Sequence, residues 1–280
     1  MLRALAIIGI VAAAGAALAQ MPWREYEGQE YNNFPAPADA MVKSEFVFAR
    51  LMYPSGGGRG GFGGRGGFGR RGFADWRQGR TDWTNDYPRA DRHLLVALRR
   101  LTRVDARSVE QPVNLDDGDD VYNWPFLYMV RAGNAGLTDE QTVKLRDYIA
   151  RGGFLVGDDI WGINEWANFR ETIERVLPGK TPNEIPDDDP VFHVAFDLTK
   201  RYQISGQWSL RSGVPYLNGG IDPHWRGVWD EKKSRLIVSA WMNNDTGDSW
   251  EWADVPEYPE RYSALGIRIV VNHIVYAMSH

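Results

Sequence analysis

Carboxylates gather at three places where the chain leaves an apolar run. Gly157-Asp158-Asp159 follows Phe154-Leu155-Val156. Asp82, Asp86 and Asp91 lie just before, in and just after Trp83-Thr84-Asn85-Asp86-Tyr87-Pro88, and Asn243, Asn244, Asp245 and Asp248 follow the run Leu236–Met242. Oxygen ligands of this kind can hold Ca²⁺ or Mg²⁺, and a single carboxylate in a crevice can act as a general base. The spacing matches no EF-hand loop, which needs a glycine and a closing glutamate at fixed positions, so no metal centre is assigned. As solvated loop residues, or in the case of Asp158 as a helix cap or turn carboxylate ahead of Trp161-Gly162, the same side chains carry no chemistry. Neighbours on an extended chain point opposite ways, so one of Asp158 and Asp159 is expected to face a crevice and the other not. Aromatic rings beside carboxylates can stack on sugar faces, which adds Trp83 and Trp161. The candidate ligand-binding residues are therefore Trp83, Asp86, Asp91, Asp158, Asp159 and Trp161, with no catalytic residue assigned.

Several chemistries are excluded. The chain has no cysteine, so disulfides, thiolate metal sites and thiol nucleophiles are ruled out. No G-x-S-x-G, Walker or dinucleotide-binding pattern occurs, and no cofactor is expected. The five histidines His93, His193, His224, His273 and His280 have no partner at the spacing of a helical metal pair. A formal net charge of −5 gives no general attraction to nucleic acid.

These side chains need a scaffold. Phe46 to Met52 and Phe126 to Val130 read as buried strands, Ala106 to Val113 as a weaker one, and Phe154-Leu155-Val156 as a strand running into Gly157. Pro88 opens a helix with Leu94, Leu98 and Leu101 on one stripe and Asp91 in its first turn. Thr138 to Gln141 is a capping box for a helix reaching Arg151, and Trp166, Phe169, Ile173 and Val176 mark a third helix ended by Pro178-Gly179. Alternating strands and helices predict a parallel sheet wrapped on both sides, in which ligands bind at the carboxyl ends of the strands. Val191 to Leu198, Val228-Trp229 and Leu236 to Met242 are expected as strands, the last two joined by a hairpin at Asp230 to Lys233. Leu265 to Met278, apolar on nearly every side, is expected as a buried helix, with a strand as the alternative.

At the amino end, Arg3, the apolar stretch to Leu18 and Ala17-Leu18-Ala19 have the order of a cleavable signal peptide. We expect residues 1–19 to be removed, Gln20 to start the mature chain, and the protein to be periplasmic or secreted without a membrane anchor. Residues 20–44 are expected to be extended or disordered, and residues 45–280 to form one domain. Within it, Ser55 to Phe73 is a Gly/Arg/Phe repeat. It reads as a flexible loop, as an arginine-glycine segment for RNA or an anionic polysaccharide, or as a docking arm.

Phe46-Val47-Phe48-Ala49-Arg50-Leu51, Trp83 through Asp91, Gly152 through Asp159 and Asp248-Ser249-Trp250-Glu251, followed by the final apolar segment, together resemble the bacterial domain-of-unknown-function family 4159 over roughly Glu45 to Met278. That family is similar to class I glutamine-amidotransferase-like and trehalose-utilisation-type domains. The resemblance implies an α/β, flavodoxin-like three-layer sandwich with a mostly parallel sheet and a β-hairpin extension. An amidotransferase nucleophile would be a cysteine, which this chain lacks, and Asp158 and Asp188-Asp189 stand where those relatives tend to carry histidine. The sequence thus points to a non-catalytic binding or scaffold domain, with an envelope saccharide or protein as candidate partner. The alternative is a metal- or carboxylate-dependent hydrolase acting on saccharide or cell-envelope material.

Overall fold

Alternation along each strand decides which layer it feeds. The structure, a computed structural model, describes residues 20–31, 34–56, 75–232 and 234–280. The expected signal peptide, the Gly/Arg/Phe tract beyond Gly56 and Lys233 of the expected hairpin turn lie outside the described residues.

Among the described residues, the strands β1 (Ala49–Met52), β2 (Gln111–Asn114), β3 (Phe126–Met129), β4 (Phe154–Ile160), β5 (Asn183–Glu184), β6 (His224–Trp229) and β7 (Leu236–Met242) form one sheet in the order β2-β1-β3-β4-β7-β6-β5. Pairing is parallel from β2 to β7 and antiparallel where β6 and β5 extend the edge. Phe126, Tyr128, Phe154 and Val156 enter one core, while Leu127, Met129 and Leu155 enter the other. The first core is covered by α1 (Arg89–Leu101) through Leu94, Leu95 and Leu98 and by α6 (Glu260–Ser279) through Ile269, Val270 and Ile274. The second is covered by α2 (Asp139–Ala150) through Leu145 and by α3 (Gly162–Val176) through Phe169 and Ile173. The result is a flavodoxin-like three-layer α/β fold. Two short helices, α4 (Gln207–Ser212) and α5 (Thr246–Glu251), lie at the carboxyl ends of the strands.

Several boundaries follow from local chemistry. The Thr138–Gln141 capping box forms as the pattern predicts, with Gln141 N–H donating to Thr138 Oγ1 at 3.2 Å. The apolar stripe of α1 stops one turn early, because Leu101 is exposed. Ala106 to Val113 enters the ladder only at Gln111, its earlier part contributing a single bridge between Ala106 and Phe46. The strand expected over Val191 to Leu198 is instead a 3-10 turn, Pro190–Phe192, followed by irregular chain. Pro190 opens that turn and Asp189 caps it. The amides of Ala195 and Phe196 donate to Asn272 Oδ1 on α6, so the segment meets its hydrogen-bond needs without a ladder. The final apolar segment is a helix, as its length favours.

Residues 20–31 and 34–44 form no helix or ladder strand, only an isolated bridge from Glu27 to Gly79 and a turn over 38–41. Tyr26 N–H donates to Tyr87 Oη at 3.1 Å, Arg92 on α1 pairs with Glu25 at 2.6 Å and donates to the Phe34 carbonyl, and Arg99 pairs with Asp39 at 2.8 Å. We refer to this segment as the strap.

Gly157 lets α3 lie close against β4: a Cβ there would lie 2.7 Å from the Phe169 ring. Gly157→Ala should therefore destabilise the fold by about 1–3 kcal/mol through overpacking. A urea midpoint equal to that of the wild type would show that α3 is free to shift away.

Candidate functional site

The site begins with a charge placed where the strand pattern calls for an apolar residue. Arg50 of β1 sits on the α1 side of the sheet, fully buried, and grips Asp91 of α1 through Nε at 2.8 Å and Nη2 at 2.5 Å. Its remaining nitrogen, Nη1, donates to the carbonyls of Trp83 and Asn85, each at 3.0 Å. The ion pair thereby fixes the loop after β1. Asp86 then follows in the left-handed region at φ 61°, a conformation that aspartate and asparagine tolerate better than most residues.

Two further residues at this edge share the conformation, Asp159 at φ 54° in the irregular last part of β4 and Asn243 at φ 58° just after β7. Asp158 accepts from Tyr128 Oη at 2.7 Å and from the amides of Thr246 at 3.3 Å and Gly247 at 2.8 Å, which anchors the start of α5. Asp159 turns the other way, accepting from Trp161 Nε1 at 2.6 Å. After β7, Asp245 caps α5 by accepting from Asp248 N–H at 3.3 Å, and Asp248 accepts from Gln207 N–H at 2.5 Å.

These elements converge on a cluster of acids. One carboxylate oxygen from each of Asp86, Asp245 and Asp248 lies within 4.8 Å of the others, and the same is true of Glu30, Asp86 and Glu251. Asp86, Asp245, Asp248 and Glu251 are buried, whereas Glu30, on the strap, is exposed. Asp86 Oδ1 accepts from Asn85 Nδ2, but Asp86 Oδ2 has no hydrogen-bond partner. Both oxygens of Glu251 also lack a partner of good geometry, although Tyr31 and Asp248 lie beside them. Thr246 Oγ1 and Trp250 Nε1 on the same helix are likewise unpartnered. Buried orphans at this density call for a missing partner, since each costs about 1–3 kcal/mol.

The electrostatics agree. Burial, reinforced by the Asp248 charge, pushes Asp86 and Asp245 well above the usual carboxylate range. Burial raises Asp248 to about 6 and Asp158 to about 7. Burial with the charges of Asp86 and Asp248 takes Glu251 to about 12. Asp159 is raised by burial and partly relieved by Arg131. The cations beside this edge among the described residues, buried Arg50 and half-buried Arg131, are already committed, Arg50 to Asp91 and Arg131 to Asp82 at 3.2 Å.

A family model, described as a domain of unknown function (DUF4159), matches residues 72–278. The chain belongs to that family. No curated protein matches it.

In this DUF4159 domain the six residues predicted from sequence separate into different roles. Asp86 belongs to the acidic cluster, Asp158 borders it through the Thr246 and Gly247 amides, and Asp159, bonded to Trp161, acts on it only through its charge. Asp91 has both oxygens taken by Arg50. Trp83 and Trp161 are core residues with no free ring face for a sugar. Trp83 Nε1 donates to the Trp76 carbonyl at 2.7 Å, and Trp161 is held by Asp159. The expectation that Asp245 and Asp248 are solvated loop carboxylates is overturned, because the chain from Ile204 to Gln207 pairs with them and covers them. Glu251 and Glu30 were not singled out as ligands. Glu251 falls within the Asp248-to-Glu251 stretch on which the resemblance partly rests, whereas nothing in the local sequence of Glu30 distinguishes it. His193 is a surface residue held by Asp197 at 2.8 Å, and His273 is a core residue bonded to Ile269 O and Ser239 Oγ.

Proposed function

We propose that this DUF4159 domain is a binding domain whose site takes a hard divalent cation, Ca²⁺ or Mg²⁺, between Asp86, Asp245 and Asp248. The observation that carries the reading is this buried triad, within 4.8 Å, with an unpartnered oxygen on Asp86 and with Arg50 and Arg131, the cations beside this edge among the described residues, paired to Asp91 and Asp82 instead. Like charges at that range are tolerable only if protonated or neutralised by an ion, and a divalent ion with oxygen ligands neutralises them most directly. The signal-peptide pattern at residues 1–19 supports export, to a compartment where Ca²⁺ sites of modest affinity are filled. An envelope saccharide or protein remains the partner class we favour, reached through the bound ion or the surface around it.

Binding is better supported than turnover. Asp158, the sequence-level candidate for a general base, spends its oxygens on three internal donors. A descent from amidotransferase-like domains is part of the same proposal, with the cysteine nucleophile gone and the carboxyl edge given over to acids.

Calorimetric titration of the purified chain with CaCl₂ and MgCl₂ tests the proposal. Saturable binding is expected in the wild type, weakened roughly tenfold or more in Asp245→Asn, because affinity follows ligand charge. Absence of binding by Ca²⁺, Mg²⁺ and Mn²⁺ at millimolar concentration would overturn it.

A further inference from the structure

We infer that Asp86 bridges two cations, the second held by Glu30 and Glu251, and that this second ion ties the strap to the core. The inference rests on the cation reading of the Asp86–Asp245–Asp248 triad, since the two sites share Asp86. Its own support is separate. Glu30, Asp86 and Glu251 place one oxygen each within 4.8 Å of one another. Glu251 lies at the end of α5, fully buried with both oxygens unpartnered, and it is not a member of the first triad. One ion at the first triad therefore leaves both Glu251 oxygens without a partner. Arg89, which could approach from α1, is committed to Asp254 at 2.6 Å and to Tyr31 Oη at 3.0 Å.

A carboxylate shared by two ligand sets is the arrangement of paired-ion centres, in which the ions sit about 3.5–4 Å apart. The two sites differ in access. The first is walled by buried side chains only, whereas the second includes the exposed Glu30 and opens toward the strap. The second ion is accordingly the exchangeable one. Its release removes a link that joins the strap to α5, leaving the strap held by its other contacts, among them those of Arg92, Tyr87, Arg89 and Arg99 and the backbone bonds of Glu27 and Gln29. Occupancy of the second site thus sets how tightly residues 20–31 lie on the site and how exposed the edge is to a partner.

The experiment counts ions. Mn²⁺ titration of the full chain, followed by calorimetry and by electron paramagnetic resonance, should give two ions per chain with spin coupling between them. Glu30→Gln, on an exposed side chain where folding is not at stake, should retain one ion and lose the coupling, and Glu251→Gln should do the same. Ca²⁺ should slow proteolysis of the strap at Arg24 severalfold in the wild type and not in Glu30→Gln. One ion in both the wild type and Glu30→Gln would overturn the second site and leave the first standing. No ion in either would overturn both.

Discussion

Asp91→Ala should cost the fold about 3–5 kcal/mol, the penalty for stripping one partner from a fully buried ion pair. In a chain of this size that corresponds to a fall of roughly 6–20 °C in melting temperature. The reason lies in what remains behind. Burial by itself would pull the Arg50 guanidinium down, but the charge and hydrogen bonds of Asp91 more than offset this and hold it above its ordinary value. With Asp91 gone, Arg50 keeps only the Trp83 and Asn85 carbonyls and the faces of Tyr87 and Tyr128, and an arginine cannot shed its proton to escape. Arg50→Met combined with Asp91→Leu should recover much of the loss, because a packed apolar pair avoids the desolvation penalty. Denaturant unfolding of the single and double variants decides the matter. A single-variant loss under about 1 kcal/mol would mean that water reaches Arg50, as at an exposed pair. Asp91→Ala should also weaken cation binding, since Arg50 pins the loop that carries Asp86.

That pair shows how far the sequence could be read. The parallel sheet was legible because short apolar runs, Phe126 to Val130 and Phe154 to Val156 among them, alternate with helical patterns, and because Thr138–Gln141 caps α2 by purely local hydrogen bonds. Asp158 and Asp159 could be placed at a strand end for the same reason. The fate of Asp91 could not, because first-turn aspartates usually serve the helix dipole and its partner Arg50 is 41 residues away. Asp245 and Asp248 looked like turn residues. Only the long excursion between β5 and β6, which returns Ile204 and Gln207 against them, makes them buried. The segment from Val191 to Leu198 had strand-like residues, but its amides found Asn272 on a helix more than 70 residues later. Local propensity decides elements; non-local partners decide which acids end up facing one another.

Cation-free protein should lose stability as pH rises through 6 and 7, and saturating Ca²⁺ should reverse the trend. Carboxyls titrate near pH 4 in the unfolded chain. In the folded state Asp248 sits at about 6, Asp158 at about 7 and Glu251 at about 12, each raised by burial, with Asp86 and Asp245 raised in the same direction. Between those limits the native state binds more protons than the unfolded one, so the stability these groups supply is complete below about pH 4 and is lost as pH passes each folded value. His273 works the other way. Its burial lowers it to about 4, so it favours the fold as pH rises toward its unfolded value near 6.5. The acid effect is therefore clearest between about pH 6.5 and 8, above that value. A cation needs the deprotonated carboxylates, so its affinity climbs over the same window. At a hundredfold excess over Kd it should add about 2.7 kcal/mol, or roughly 5–10 °C. Asp86→Asn separates the two effects, because asparagine keeps the shape and tolerates the left-handed backbone while removing one charge. At pH 8 the cation-free variant should melt above the cation-free wild type, and Ca²⁺ should no longer raise it. A variant stabilised by Ca²⁺ as much as the wild type would remove Asp86 from the site. A cation-free variant that melts lower would show that the Asp86 charge is already compensated within the fold.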